Sequence, residues 1–156
     1  MLRNIILYLI EKETGFKVVI AAHPRSNYEE RPDYFKGREC IRGKTIDLIR
    51  ESKLVLCHCS TASNFTNLFY KPAVFMTCSE LNKIHRHKNY YVKEFAKWFG
   101  KEPVSIDEAS GINWDKELTV KRDHYDNYRN AYIKTENSEE LPFAQIVANR
   151  LKKLER

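Results

Sequence analysis

Short apolar runs alternate with helix-like segments along the first two thirds of the chain, and this alternation limits the possible folds more than any other feature. Continuous apolar runs at 17–22, 53–59 and 73–77 predict buried strands. Between them, residues 45–52 and 62–70 have the apolar spacing of short helices. Strands that alternate with helices form parallel βαβ units. The sequence therefore predicts an α/β fold, a Rossmann-like three-layer α/β/α sandwich around a mostly parallel sheet.

Helical periodicity also predicts a helix on each side of these units. The N-terminal helix carries one apolar stripe and ends before Gly15, and a longer helix spans about 88–99. The residues predicted to be buried are Leu2, Ile5, Ile6, Leu9 and Ile10 in the first helix, Phe65, Leu68 and Phe69 in 62–70, and Tyr91, Val92, Phe95, Trp98 and Phe99 in the longer helix. Weaker signals predict strands at 39–41 and 103–106, a loop with a short helical turn at 26–37, and amphipathic helices at 119–135 and 141–154.

The length and composition limit the class of protein. A chain of 156 residues is large enough for one domain with a buried core. We predict a single domain over 1–156, with a Rossmann-like core at 15–106 and a C-terminal helical extension at 116–156. No run approaches the roughly 20 apolar residues of a membrane-spanning helix. The N-terminal run also lacks the cleavage site of a signal peptide, so the expected location is cytoplasmic.

The net charge of +6 at pH 7 favours an anionic partner, such as a nucleotide-linked substrate, a nucleic acid or an acidic membrane surface. One candidate nucleic-acid surface is the stretch 83–101, in which aromatic and basic residues are mixed. Its aromatic residues recur at helical spacing, which favours a role in the core. The basic residues are also spread along the chain instead of forming an arm. We therefore expect no nucleic-acid partner, and a non-enzymatic basic module that binds nucleic acid or protein stays an alternative.

The four cysteines lie in or beside apolar stretches, as reduced and buried thiols of cytoplasmic proteins do. A zinc site is the alternative, because two of them share one side of the predicted strand at 53–59. The sequence adds only the pair His85 and His87, which does not complete a tetrahedral set with the usual spacing. We therefore predict no metal site. The cysteines are Cys40, Cys57, Cys59 and Cys78.

Two short polar motifs follow predicted strands, each at the point where the strand ends. The letters H-P-R begin at His23, after the strand at 17–22, and the letters S-T begin at Ser60, after the strand at 53–59. In an open parallel sheet, ligands bind at the carboxyl ends of the strands. The pair of motifs therefore predicts a site for an anionic, phosphate-bearing ligand.

Each motif has its own way of contacting a phosphate. A helix that starts after Ser60 and Thr61 offers backbone N–H groups, a helix dipole and two hydroxyls. The imidazole of His23 offers a charge-assisted hydrogen bond to the same anion. Helix capping by Ser60 and a purely structural His23 are the alternatives. The predicted donor- and phosphate-binding residues are His23, Arg25, Lys44, Thr45, Ser60 and Thr61, with Arg42 and Lys71 as further counter-charges.

The segment from Gly37 to Thr45 ends like a phosphate-binding P-loop, but its spacing differs. Five residues separate Gly37 from Gly43, where a Walker A loop has four. An ATPase function is therefore not predicted, although Lys44 or Thr45 remains a candidate contact to a nucleotide. Ser60 also lacks the glycines of a nucleophile elbow, and the sequence identifies no catalytic base.

Three stretches of the chain, in this order and spacing, resemble the C-terminal domain of GT-B glycosyltransferases. They are V-V-I-A-A-H-P-R, then G-K-T-I-D-L-I-R-E-S-K-L-V-L-C-H-C-S-T-A, then Y-K-P-A-V-F. The resemblance is greatest to enzymes of bacterial surface-polysaccharide synthesis, including sialyltransferases and CDP-glycerol glycerophosphotransferases. These families carry an HP motif, a later SS or ST motif, and a strand that starts after KP. The resemblance covers about residues 15–106, and S-T here replaces the commoner double serine.

The resemblance implies that this chain is a single GT-B half that binds a nucleotide-sugar or CDP-alcohol donor and needs no other cofactor. By the same resemblance, His23, Ser60 and Thr61 would contact the donor phosphate, and Lys44 and Thr45 would lie near the base or ribose. In the related sialyltransferases the catalytic base comes from the N-terminal domain. The expected partners are therefore that domain or a partner subunit, together with peripheral association at the inner face of the membrane. A UDP-sugar 2-epimerase-like domain, which shares the fold, is the alternative enzyme.

Overall fold

The computed structural model describes residues 2–108 and 111–154, and these residues form five strands that all pair in parallel. The strands are β1 (Ile20–Ala22), β2 (Cys40–Arg42), β3 (Val55–Cys57), β4 (Ala73–Thr77) and β5 (Val104–Ser105). The α-helices are α1 (Leu2–Thr14), α2 (Thr45–Glu51), α3 (Ser63–Leu68), α4 (Ser79–Ile84), α5 (Arg86–Trp98), α6 (Trp114–Leu118), α7 (Arg122–Tyr128) and α8 (Phe143–Leu154). The predicted α/β fold with parallel strands is confirmed.

The strands of the described residues form two small sheets instead of one continuous sheet. β1 pairs with β2, and the other strands form a sheet in the order β3-β4-β5. The two sheets share a core, because Ile20 of β1 packs against the same apolar cluster as Val74 of β4. Ala22 and Arg42, the last residues of β1 and β2, are register partners. The segments that follow these two strands therefore begin side by side.

Strand β4 carries the core on both of its faces, which produces the three layers. Val74 and Met76 lie in a cluster with the apolar side of α1. Ala73 and Phe75, which alternate with them, lie in a second cluster with α5 and α7. Since α1 covers one face of the strand and α5 with α7 covers the other, the predicted three-layer arrangement is confirmed.

Helix α7, which follows β5 in the chain, takes part in the second cluster. Tyr125 is completely buried, and its hydroxyl donates a hydrogen bond of 2.7 Å to the backbone carbonyl of Lys71. The side-chain amide of Asn67 donates a 2.9 Å hydrogen bond to the carbonyl of Tyr125. Helix α7 is thus joined to the core by apolar and polar contacts, whereas the described residues of α8 belong to neither apolar cluster. The boundaries 15–106 and 116–156 stay predictions, and residues 155–156 lie outside the described residues.

The positions of the helices agree with the prediction more closely than the sets of residues that the helices bury. Gly15 ends α1 in the left-handed region, with φ of 69°, as expected for a glycine stop. In α1, however, Leu7 is buried and Ile5 is exposed, and the side chain of Leu2 lies outside the described residues. In α5, Tyr91 is half exposed and so lies off the predicted buried side.

Helix α3 buries a polar side, contrary to the prediction. Ser63, Thr66 and Asn67 are buried, whereas Leu68 is exposed. The polar side chains are accommodated because each has a partner: Ser63 donates to the carbonyl of Ser60, and Asn67 donates to the carbonyl of Tyr125. The spacing of apolar residues along a sequence cannot reveal a helix side that is buried and polar.

The C-terminal segment forms the two predicted helices in modified form. Helix α7 continues into a π-helical turn at Arg129–Ile133, and α8 covers most of the predicted 141–154. The apolar side of α8 is exposed, with Phe143 81% and Leu154 82% accessible. Among the described helices, none combines the length and the apolar character needed to cross a membrane.

We expect Tyr125→Ala to lower the free energy of unfolding by about 3–5 kcal/mol, because it removes a large side chain from a closed core. Tyr125→Phe should cost about 1 kcal/mol, since it leaves the carbonyl of Lys71 without its hydrogen bond. Urea denaturation measures both changes. Tyr8→Ala, at a tyrosine that is 58% exposed, is the control and should change the stability little. Equal effects of Tyr125→Ala and Tyr8→Ala would contradict the assignment of α7 to the core.

Candidate functional site

A cavity of about 150 Å³ lies where strands β1 and β2 end. Its lining includes Ala22 and Arg42, the final residues of the two strands. Arg31 and Arg38, from the loop between the strands, bring further positive charge to the same cavity. The other lining residues are Ser26, Tyr28, Phe35 and Cys40. The carboxyl edge of this sheet therefore carries a small, arginine-rich cavity of the kind that suits an anion.

Arg38 is held in place by an ion pair with Glu11 of α1. Its Nε and Nη2 donate to the two carboxylate oxygens of Glu11 at 3.1 and 2.7 Å, and Nη1 donates to the carbonyl of Phe35 at 3.1 Å. The Arg38 side chain is only 10% exposed. The hydrogen bonds from Arg38 lower the pKa of Glu11. Arg38 is thus a fixed wall of the cavity, and its charge is largely compensated.

Arg42 links the cavity to the turn that contains the H-P-R motif. Its guanidinium donates to the carbonyl of Ser26. Ser26 in turn donates to the carbonyl of His23 from its backbone N–H at 2.8 Å and from its hydroxyl at 2.6 Å. The backbone N–H of Arg25 donates to Nδ1 of His23 at 3.1 Å, which leaves Nε2 as the donor of the ring. The exposed His23 therefore has a structural role in this turn. Its Nε2 makes no hydrogen bond within the described turn at 23–26.

Lys44 and Thr45 follow the cavity residue Arg42 in the chain, separated from it by Gly43. Gly43, with φ of 76°, makes the turn between β2 and α2, and Lys44 is the N-cap residue of α2. Lys44 is exposed and Thr45 is half-buried. Lys44 makes no side-chain capping bond, and Thr45 is the first residue of the helix. Both residues nevertheless lie at the same sheet edge as the cavity.

Ser60 and Thr61 lie at the end of the other sheet, after β3, in a turn that leads into α3. The hydroxyl of Ser60 accepts from the backbone N–H of Ala62 at 3.2 Å. The carbonyls of Ser60 and Thr61 accept from the N–H groups of Ser63 and Asn64, both at 3.1 Å. The backbone donors at the start of α3 are therefore engaged within the turn. The N-cap residue of α3 is Ala62, which makes no side-chain capping bond, so the hydroxyl of Ser60 stabilises the turn that precedes the helix.

The two motifs are connected through α2, which contacts both β1 and α3. No hydrogen bond within the described parts of the chain joins the turn of His23 to the turn of Ser60. A single phosphate site made by both motifs stays a prediction. The turn that contains His23 and Arg25 borders the arginine-lined cavity through Ser26 and Arg42, but neither His23 nor Arg25 is one of the residues that line it. Arg31 and Arg38 were not predicted as site residues from the sequence. Both lie in the segment that connects β1 and β2, and the basic residues of that segment were the available signal.

The cysteines occupy different environments, and the prediction of buried thiols is correct for only part of them. Cys57 is buried, and burial raises the pKa of its thiol to about 12. Cys40 and Cys59 are exposed, so the prediction is wrong for these two. Cys78 is partly buried, and its sulfur accepts from the backbone N–H of Leu81 as the cap of α4. Among the described residues, no group of three or more His, Cys, Asp or Glu side chains is arranged to hold a metal ion.

No family model, no curated protein and no solved structure matches this chain. The resemblance to GT-B enzymes therefore depends on the order and spacing of the short motifs. Any functional assignment has to be argued from the fold and the geometry of the cavity.

We expect Glu11→Gln to lower the free energy of unfolding at pH 7 by about 1–2 kcal/mol, because it removes a charge-assisted pair that fixes a cavity wall. Arg38 lowers the pKa of Glu11 from its usual 4.5, so this stabilisation is present above pH 4.5 and is lost as the pH falls through the lowered value. Urea denaturation at pH 7 and at strongly acidic pH should therefore show a difference that disappears in acid.

Glu39→Gln is the matched control for this experiment. Glu39 pairs with Lys17 at 2.8 Å, but the two side chains are 51% and 74% exposed. An exposed pair contributes on the order of 0.5 kcal/mol or less. A loss of stability at Glu11 that equals the loss at Glu39, or that persists unchanged in acid, would contradict the assigned role of the Glu11–Arg38 pair.

Proposed function

We propose that this chain is the donor-binding domain of a GT-B type glycosyltransferase or glycerophosphotransferase of bacterial surface-polysaccharide synthesis. The observation that carries the proposal is the arginine-lined cavity at the carboxyl ends of β1 and β2. In open α/β folds this edge of the sheet is the place where ligands bind. The ligand in the proposal is a nucleotide-activated sugar or a CDP-alcohol, bound through its phosphate.

The size of the cavity supports a phosphate group as its occupant. Sites that enclose a whole drug-sized ligand have volumes of roughly 300–1,000 Å³. At about 150 Å³ this cavity accommodates a smaller group. The guanidinium groups of Arg31 and Arg42 provide planar, charged donors that match phosphate oxygens. The nucleoside would then lie outside the cavity, over the exposed Arg25 and Lys44.

The same residues suit a role in bond cleavage by charge stabilisation. Displacement at the anomeric carbon, or at phosphorus in glycerophosphate transfer, leaves negative charge on the departing nucleotide phosphate. Fixed cationic donors stabilise such a charge as it develops. The proposal assigns the catalytic base to an N-terminal GT-B domain or to a partner subunit. It follows that the chain alone should bind a donor weakly and should not transfer it, and turnover by the isolated chain would contradict this division of roles.

Peripheral association with a membrane is part of the proposal and is supported by α8. Phe143, Val147, Leu151 and Leu154 form an exposed apolar side of this helix. The helix also carries Arg150, Lys152 and Lys153, and residues 143–154 contain no acidic residue. A basic amphipathic helix of this kind suits an anionic lipid surface, whereas two copies packed together would bring like charges close to each other.

We expect the full chain to bind CDP, CMP or UDP. Arg31→Gln should weaken this binding about tenfold, because it removes one charged hydrogen-bond donor to the phosphate. Isothermal titration calorimetry measures the dissociation constants. Arg42→Gln should weaken binding at least as much, since Arg42 also anchors the turn of His23 through Ser26. Arg50→Gln, at an exposed arginine that pairs with Asp47 on α2, is the matched control and should bind like the wild type.

Two further variants separate the two sequence motifs. His23→Ala should weaken nucleotide binding if the ring lies beside the bound phosphate. Ser60→Ala should weaken it only if the turn after β3 contributes to the same site. Normal binding by both arginine variants would contradict the proposed site, whatever the outcome at these two positions.

We expect the chain to sediment with vesicles of phosphatidylcholine and phosphatidylglycerol, and to stay in solution with phosphatidylcholine alone, because the charge of α8 requires an anionic surface. Phe143→Ser and Leu151→Ser should each reduce the bound fraction severalfold. Ile84→Ser, at an apolar residue of α4 that is 64% exposed, is the control and should leave it unchanged. Equal binding to both vesicle types would contradict the role of α8.

A further inference from the structure

A second and larger concave surface lies between α4 and α5, away from the arginine-lined cavity. This groove has a volume of about 650 Å³, within the range of ligand-binding sites. It shares no lining residue with the arginine-lined cavity. The residues that line it are Asn82, Lys83, Arg86, Asn89, Tyr90 and Lys93.

The base of the groove is fixed to the end of the central strand. Thr77 is the last residue of β4, and its hydroxyl donates to the side-chain oxygen of Asn89. The amide of Asn89 donates in turn to the side-chain oxygen of Asn82. Asn89 is only 4% exposed. The groove is therefore built on an ordered polar network at the carboxyl end of a parallel strand.

One side of α5 extends the groove as a stripe of exposed cations and a tyrosine. Arg86, Tyr90, Lys93 and Lys97 recur at intervals of four, three and four residues, which places them on one side of the helix. At 1.5 Å per residue the stripe is about 16 Å long. Lys83 of α4 adds a further cation on the facing wall of the groove. The partly buried Glu94 lies next to the stripe and not in the lining of the groove.

The tyrosine of the stripe is exposed, and so is its neighbour Tyr91, which helical spacing predicts to be buried. Tyr90 is 58% and Tyr91 is 50% accessible, and their rings lie 5.7 Å apart. Neither ring is needed to close the core, because Val92, Ala96 and Phe99 fill the buried side of α5. Exposed aromatic rings among cations are the features that bind unpaired bases and a phosphate backbone.

We propose that the groove and the α5 stripe form a binding surface for single-stranded nucleic acid. The stripe is long enough to face several phosphates of one strand. Tyr90 provides a flat ring on which an unpaired base stacks, and Arg86, Lys93 and Lys97 neutralise the phosphates on either side. A duplex would keep its bases away from this ring. The proposal goes beyond donor binding, because it uses different residues at the end of a different strand. It replaces the expectation that the chain has no nucleic-acid partner, because Tyr90 lies on the exposed side of α5 and not in the core.

The test is fluorescence anisotropy with a labelled oligouridine and the full chain, in a series of salt concentrations. Tyr90→Ala should weaken binding about tenfold, and Tyr90→Phe should retain the wild-type affinity because the ring is kept. Lys93→Gln should reduce the slope of log K against log salt by about 0.7, the value for one contact to a single strand.

The matched controls lie on α1, which covers the opposite face of β4. Tyr8 is 58% exposed, as Tyr90 is, and Lys12 is an exposed lysine one helical turn further on. Tyr8→Ala and Lys12→Gln should leave affinity and salt slope unchanged. Equal effects of the α1 and α5 variants, or tighter binding of a duplex than of the single strand, would overturn the proposal.

The same assay separates this surface from the donor site. Arg31→Gln should leave oligouridine binding unchanged, and free UDP should not displace the oligonucleotide. If UDP displaces it and Arg31→Gln weakens it, the oligonucleotide occupies the arginine-lined cavity and the proposed α5 surface is wrong. If oligouridine does not bind at low salt, the proposal is also wrong, while the donor-binding proposal is still judged by its own titrations.

Discussion

Burial of strand β4 on both faces is the interaction on which the other parts of the structure depend. Its apolar residues alternate between two clusters, one shared with α1 and one shared with α5 and α7. Full burial of a side chain such as Val74 or Phe75 contributes about 1.5–3 kcal/mol through the hydrophobic effect. No other described strand has four consecutive buried residues. The layers on both sides are therefore held in register by one short strand, and the ends of the neighbouring strands are positioned by it.

The positive charge of the chain is more localised in the structure than along the sequence. One concentration is the cavity at the end of β1 and β2, where Glu11 offsets part of the charge. The others are the stripe on α5 and the polar side of α8. Because Glu11 offsets part of the positive charge and the cavity is small, the cavity suits a single phosphate group. An open stripe and an apolar helix with basic flanks suit extended anionic surfaces.

The central strand could be predicted because a buried strand in a parallel sheet is a continuous apolar run, and 73–77 matches β4 residue by residue. The strands predicted at 17–22 and 53–59 are shorter in the structure, at Ile20–Ala22 and Val55–Cys57. The buried sides of the helices were predicted less well, because periodicity gives the spacing of residues and not the neighbour that each side meets. Tyr91 has the spacing of a core residue, yet α5 needs only Val92, Ala96 and Phe99 to cover β4. Helix α3 turns a polar side inward because Tyr125, more than fifty residues later, accepts a hydrogen bond from Asn67.

The α/β class, the parallel pairing and the strand end at which His23 lies can be inferred from the amino-acid sequence, since these follow from local apolar runs and the short segments that connect them. The pairs of charged side chains that contact each other are known only from the folded structure. Arg38 becomes a cavity wall because Glu11, from a helix twenty-seven residues earlier, holds its guanidinium. Such contacts depend on how separate elements pack in space, and no local pattern of residues contains that information.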